Sequence, residues 1–262
     1  MWLVACGLSS FAQMKCEVKN SVFESGETAT YKIYYNWGLV WALAGEVTFK
    51  VELADYKGKP AYHFTGAGNT FSNFDWFYKV RDKFESYADT STLKPYRFIR
   101  DQNEGKTSIY EECLFSFKKK KGYSVIKKDK AAKLDSVKIN DCTIDVMTCI
   151  YYSRCIDFST YKVKDTIPIS LYLENKVYPI YLRYMGKEVY NLDGYGKFNC
   201  IKFKPKLIDG TIFKGGEEMT VYVTDDQNHL PLYVETPIVV GKIKVYLTKF
   251  SGLRHPFSSK IK

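Results

Sequence analysis

Thr30-Tyr31-Lys32-Ile33-Tyr34-Tyr35-Asn36-Trp37 and, a few residues on, Glu46-Val47-Thr48-Phe49-Lys50-Val51-Glu52-Leu53 decide the fold. In the first stretch Tyr31, Ile33, Tyr35 and Trp37 alternate with Thr30, Lys32, Tyr34 and Asn36. In the second, Val47, Phe49, Val51 and Leu53 alternate with Glu46, Thr48, Lys50 and Glu52. A period of two gives a strand one dry face and one wet face. The pattern returns at Ile167, Ile169, Leu171 and Leu173, at Ile180, Leu182 and Tyr184, at Val221 and Val223, and at Val245 and Leu247. Turn signals such as Tyr56-Lys57-Gly58-Lys59-Pro60, Asp193-Gly194, Gly215-Gly216 and Asp225-Asp226-Gln227-Asn228 separate these runs. An aromatic share of 16%, with 22 Tyr and 17 Phe, suits pleated, half-buried surfaces. The expected fold is mainly β: an antiparallel curved sheet forming a barrel or half-barrel.

One segment departs from that period. Between Asp141 and Cys155, Ile144, Met147, Tyr151, Tyr152 and Cys155 recur at helical spacing, with Asp141 or Thr143 able to cap the start. A single amphipathic helix in a β chain packs on the sheet, either covering an open face or plugging a barrel. A faint echo links two hairpins: Asp89-x-x-x-Leu93-x-Pro95 and Asp226-x-x-x-Leu230-Pro231 each return an acidic turn to a strand through Leu and Pro.

The compartment is read from the start of the chain. Met1 to Ala12 resembles the apolar end of a secretory signal, and polar residues follow from Lys15. Residues 1–14 are therefore expected to be a signal peptide truncated at its own start, and 15–262 a single β-barrel-like domain. Leu3-Val4-Ala5-Cys6 also fits a lipobox, an alternative to simple cleavage. No other stretch approaches the roughly 18 apolar residues of a membrane helix. Seven cysteines form no C-x-x-C pair. Cys142, Cys149 and Cys155, if on one helix, would sit about 9–10 Å apart, beyond disulfide reach. They read as buried thiols or as partners of distant cysteines among Cys16, Cys113 and Cys200.

The formal charge of +10 is concentrated in Lys118 to Lys133, which holds eight lysines against Asp129. Arginine is scarce and missing from that run, which argues against nucleic acid, whose phosphates and guanines suit the guanidinium fork. The run is expected to be a solvated hairpin, with an anionic membrane surface as its possible partner.

Little points to catalysis. His63, His229 and His255 belong to no metal-spaced cluster, and no G-x-S-x-G or P-loop is present. Gly66-Ala67-Gly68 lacks the helix a dinucleotide site needs. The acidic turn at Asp225 lacks the central Gly and later Glu of a calcium loop, so neither metal nor cofactor is expected. Glu85, Asp89, Arg100, Asp101 and Glu104 form a polar knot that is either a rim of ion pairs and turn caps or, if the carboxylates converge, a hydrolase site. Trp37, Trp41, Phe71, Phe74, Trp76, Phe77 and Tyr78 form an aromatic cluster that is core or lines a mouth. With Met147 and Tyr151 of the helix they are the candidate ligand-binding residues, expected to line an apolar space beneath it.

Gly26-Glu27, Tyr31-x-Ile33-Tyr34-Tyr35-x-Trp37-Gly38, Ala44-Gly45-Glu46, Val80-Arg81-Asp82-x-Phe84-Glu85-Ser86, Leu93-x-Pro95, Arg100-Asp101-x-x-Glu104-Gly105, Gly186-Lys187-Glu188 and Thr224-Asp225-Asp226-x-Asn228-x-x-Pro231 together resemble the bacterial domain-of-unknown-function 3108 family, in its Bacteroidetes form. The resemblance covers nearly the whole chain after residue 20 and brings no established activity. It implies an exported β protein. The strand, acidic turn and Leu-Pro return is also similar, at the level of fold, to periplasmic lipoprotein carriers and receptors whose half-barrels hold acyl chains. The expected function is binding of a hydrophobic or lipid-linked ligand in the periplasm or at the outer membrane. The alternatives are an envelope interaction module with a filled core and, third, a hydrolase using Glu85, Asp89 or Asp101.

Overall fold

The computed structural model describes residues 16, 18–37, 40–128, 131–209 and 214–261. The expected signal peptide, Cys6 and the side chain of Trp37 lie outside the described residues. Alternation is realised as strands β1 (Thr28–Trp37), β2 (Val40–Asp55), β3 (Pro60–Thr70), β4 (Arg81–Asp89), β5 (Pro95–Glu104), β6 (Thr107–Ser116), β7 (Lys121–Lys128) and β8 (Ala131–Lys138). After β9 (Thr143–Asp145), helix α1 (Val146–Arg154) and a 3-10 turn (Phe158–Thr160) come β10 (Thr166–Leu173), β11 (Lys176–Leu192), β12 (Gly196–Pro205), β13 (Leu207–Asp209), β14 (Lys214–Gly216), β15 (Thr220–Thr224), β16 (Pro231–Pro237) and β17 (Lys242–Ser251).

Fifteen strands form one sheet, ordered β8-β7-β6-β5-β4-β3-β2-β1-β17-β16-β15-β12-β11-β10-β9, while β13 and β14 pair separately. Every pair in the large sheet is antiparallel except β9 with β10. The sheet is β-barrel-like and not closed. Its curvature is helped by bulges at Ile33/Tyr34, Tyr87/Ala88, Tyr184/Gly186 and Tyr222/Val223, which bend a strand and raise its twist.

The β10 end tucks inside the roll. Ile167, Ile169 and Leu171 on one face of β10 join the main core, and Tyr172 joins it from the other face, packing against Phe98 and Phe115 of β5 and β6. Side chains, not a strand ladder, tie this seam. Glu111, fully buried, accepts from the Tyr172 hydroxyl at 2.8 Å and the Asn175 N–H at 3.1 Å, and Ser124 donates to Asn175 at 2.9 Å. Edge strand β8 carries Lys133 and Lys138 exposed, a charge pattern that discourages edge-to-edge pairing.

The helix is shorter than its sequence pattern. Thr143–Asp145 are drawn into parallel pairing with β10, so Asp145, not Asp141 or Thr143, is the cap, its carboxylate accepting from Thr148 N–H at 2.9 Å. Cys142 therefore precedes the helix and is bonded to Cys16, with α-carbons 5.3 Å apart. The helix lies inside the roll. Its Tyr151 ring stacks on Phe64 at 4.1 Å, and Ser86 of β4 donates to Asp145 at 2.6 Å. Gly66 permits this approach, because a β-carbon there would meet the Phe49 ring at 3.0 Å and Met147 Sδ at 3.2 Å.

Candidate functional site

Because neighbouring strands are antiparallel, their turns divide between two ends of the roll. The β2–β3, β4–β5, β6–β7 and β15–β16 turns mark one end, which helix α1 and the N-terminal segment close. Phe23, fully buried, sets its ring edge against Tyr151 at 5.1 Å and Phe64 at 5.6 Å. Arg154 at the helix terminus donates to both oxygens of Glu27 and to the Asn228 carbonyl. Both charges are almost wholly buried, so each is tolerated only because the other neutralises it.

The remaining half of the lumen is a cavity of about 1070 Å³. Inward-facing positions supply its walls: Ile109 of β6, Ile126 of β7, Leu171 of β10, Ile180 of β11, Val221 of β15 and Val245 of β17. Its floor includes Tyr151 and Cys149 of the helix, the latter thiol pushed up to about 12 by burial. At the other end lie Tyr78, Glu104, Lys128, Lys206 and Asp209. Lys128, Lys206 and Asp209 are exposed, so the cavity opens there, at the end of the β1–β2, β3–β4, β5–β6 and β16–β17 turns.

Charge is confined to the ends and the seam of this space. Arg100, nearly buried, donates to Glu174 at 2.8 Å and stands 3.5 Å from Glu111. Near the mouth, burial pushes the Asp82 carboxyl up to about 7, with the Asn103 N–H pulling it down and neighbouring Glu104 adding to the rise. Between mouth and floor the walls are mainly apolar, aliphatic side chains with Tyr31, Phe49, Tyr178 and Phe203 among them, an arrangement that accepts an apolar chain and offers polar contacts to its head.

The structure separates the residues that the sequence grouped. Tyr78 and Tyr151 line the large cavity, and Met147 is buried beside Gly66. Phe74, Trp76 and Phe77 instead line a smaller pocket of about 380 Å³ at the open end, with Tyr35 and Val40. Phe71 is half-buried in the same loop, and Trp41 is 37% exposed beneath the Lys244 ammonium, 4.3 Å from its ring centroid. The aromatic loop and the helix thus stand at opposite ends, because β3 leads away from the turn near which the helix packs.

The polar knot is likewise divided. Arg100 and Glu104 face the lumen. Glu85 pairs with His63 at 2.8 Å and Lys83 at 2.7 Å, and Asp101 accepts from Asn103 at 2.9 Å. Asp89 caps the β4–β5 turn at the far end. Burial would raise its pKa, but hydrogen bonds from Ser91, Tyr96 and Thr92 outweigh that and hold it well below the usual range. Three carboxylates with three separate structural partners form no convergent pair. Asp226 is occupied in the same manner, accepting from Thr224, Asn228, Ser258 and Ser259.

The residues that the sequence reading missed are the aliphatic cavity walls. Their signal is the alternation itself, which marks a dry face on a strand without saying what covers it.

A β-barrel-like sheet with an internal helix and an open apolar lumen defines the structural class. The chain belongs to the family described as protein of unknown function DUF3108, whose model matches residues 30–248. It is similar in fold to the crystal structure of a beta-barrel-like protein of domain of unknown function DUF1849 from Brucella abortus, at 10% identity and a TM-score of 0.58. That likeness covers 88% of this chain and 99% of the other. No curated protein matches the chain.

Proposed function

We propose that this chain binds a hydrophobic or lipid-linked ligand within its rolled sheet, as an exported protein of the periplasm or outer membrane. The observation that carries the reading is the cavity of about 1070 Å³, walled mainly by aliphatic and aromatic side chains and open at one end. Its size is at the upper end of small-molecule sites, and its lining is of the apolar kind that such sites use. A core meant only for stability is packed to crystal-like density, which this half of the lumen is not. The Cys16–Cys142 disulfide supports export, since such bonds persist in oxidising compartments. The divergence of Glu85, Asp89 and Asp101 favours binding over hydrolysis.

Native mass spectrometry of the protein purified from a Gram-negative envelope tests the reading. Lipid-mass adducts are expected on the wild type and are expected to be weakened in Val245→Trp, which sets an indole into the lumen. A wild type free of adducts that also fails to take up a fluorescent fatty acid would overturn it. Recovery of the protein in the cytosol with Met1 intact would overturn export separately.

A further inference from the structure

We propose that the open end of the roll docks on an anionic lipid bilayer, with Trp76 and its neighbours entering the interface. Three connections meet there, because β3, β2, β1, β17 and β16 are consecutive in the sheet. Each lifts large apolar side chains into solvent. Val40 (68% exposed) and Trp41 (37%) come from the β1–β2 hairpin, Trp76 (81%) and Phe77 (37%) from the β3–β4 loop, and Val239 (49%) and Val240 (63%) from the β16–β17 turn. Scattered single apolar residues are ordinary on a surface; six on three adjacent loop tips at one end are a binding patch.

The patch is held in shape. Phe74 and Phe77 set their rings 6.0 and 5.7 Å from Tyr35, whose hydroxyl donates to the Val240 carbonyl at 3.1 Å. Arg81 pairs with Asp75 at 2.6 Å and donates to the Thr70 carbonyl, tying the loop to the end of β3. Within the loop, Phe77 and Tyr78 N–H groups bond back to the Phe74 carbonyl. Trp76 is therefore presented outward by a braced loop.

Charge complementarity identifies the partner. Exposed Lys79, Lys106, Lys128, Lys206 and Lys242 surround the same end, and none is in an ion pair among the described residues. Of the carboxylates there, Asp75, Glu174 and Glu217 are held by Arg81, Arg100 and Arg183, Asp82 and Glu104 are partly buried, and Asp209 and Glu218 are exposed. Aromatic tips inside a lysine ring match the headgroup level of an anionic leaflet, where amphipathic rings partition and basic side chains meet lipid phosphates. The lysine run is divided between the two ends: Lys128 closes β7 at the open end, whereas Lys118, Lys119 and Lys120 lie in the β6–β7 turn at the closed end and are not part of the contact. Tyr78 belongs to both the loop and the cavity wall, so docking in this pose sets the lumen's mouth on the lipid.

The test uses the whole chain with vesicles of phosphatidylcholine alone or with one quarter phosphatidylglycerol. Co-sedimentation is expected on the anionic vesicles and to fall at least tenfold with Trp76→Ser/Phe77→Ser. It is expected to fall severalfold with Lys79→Gln/Lys106→Gln/Lys242→Gln and to stay unchanged with Lys118→Gln/Lys119→Gln/Lys120→Gln. Brominated acyl chains are expected to quench the wild-type tryptophan emission, with the quenching reduced in Trp76→Phe, a change that leaves the loop's bracing intact and Trp41 of the same patch as the remaining reporter. No sedimentation, equal loss in the closed-end lysine variant, or quenching unaltered by Trp76→Phe would overturn the proposal. Val245→Trp keeps the patch and narrows the lumen, so bilayer binding retained there with lipid uptake weakened separates this docking from the proposed ligand site.

Discussion

The two halves of the roll are built from the same strands with the same alternation, yet one is packed and the other is not. At the closed end, the inward side chains of β3 and β4 meet the helix and the N-terminal segment, and Phe64, Phe23 and Tyr151 leave no exposed surface of consequence. At the open end, the inward side chains of β6, β11, β15 and β17 face one another across a cavity. An apolar strand face therefore reports that a surface avoids water, and does not report whether a neighbouring side chain covers it. In the closed half stability is the expected consequence of the pattern, and in the open half it is the ligand uptake we propose.

Substitutions can break that comparison. The largest effect is expected from Phe64→Ala, which removes a fully buried ring stacked at 4.1 Å on Tyr151. A loss of about 3–5 kcal/mol is expected from denaturant titration. A loss below about 1 kcal/mol would mean that the closed half is as loosely filled as the open one.

Next comes the polar cap beneath the helix. Burial pushes Asp145 up to about 6, with hydrogen bonds from Ser86 and Thr148 opposing the rise. The folded state then holds this proton more tightly than the unfolded chain, whose aspartates titrate near 3.9. The contribution is full below about pH 4 and declines as pH rises toward about 6, by on the order of 3 kcal/mol. Asp145→Asn, neutral throughout, is expected to remove that decline. Parallel stability curves for the variant and wild type between pH 4 and 6.5 would refute the assignment.

Smaller effects sharpen the contrast at the open half. Val245→Ala is expected to cost less than about 1.5 kcal/mol, because a cavity wall already lacks contacts on one side, while weakening fluorescent fatty acid uptake severalfold. Trp41, exposed under Lys244, belongs with it: Trp41→Ala is expected to fall well short of a core substitution. The smallest change is expected from replacing Lys118, Lys119 and Lys120 by Gln, within about 0.5 kcal/mol, since exposed lysines away from packed features contribute little. A shift of several degrees in melting would show that the turn takes part in the closed end through more than the Lys120–Asp141 ion pair.

Much of this molecule follows from local chemistry. The period of two in Tyr31 to Tyr35 and Val47 to Val51 determined strands and their faces, because adjacent side chains on a pleated backbone must point to opposite sides. The echo of Asp89-x-x-x-Leu93 and Asp226-x-x-x-Leu230 is realised as two acidic turns with buried Leu93 and Leu230, each Asp accepting backbone N–H groups of its own turn. That alternation also sends Arg100 inward and Asp101 outward. What only the tertiary structure decided depends on distance along the chain. The Cys16–Cys142 bond joins residues 126 apart, and β1 lies beside β17, pairings that no local pattern encodes. Whether the roll is filled depends on strand order, on accumulated twist, and on where a nine-residue helix comes to rest. The helix packs where Gly66 leaves room and Ser86 meets Asp145, and the lumen beyond it stays open because the inner wall is longer than the helix that could cover it.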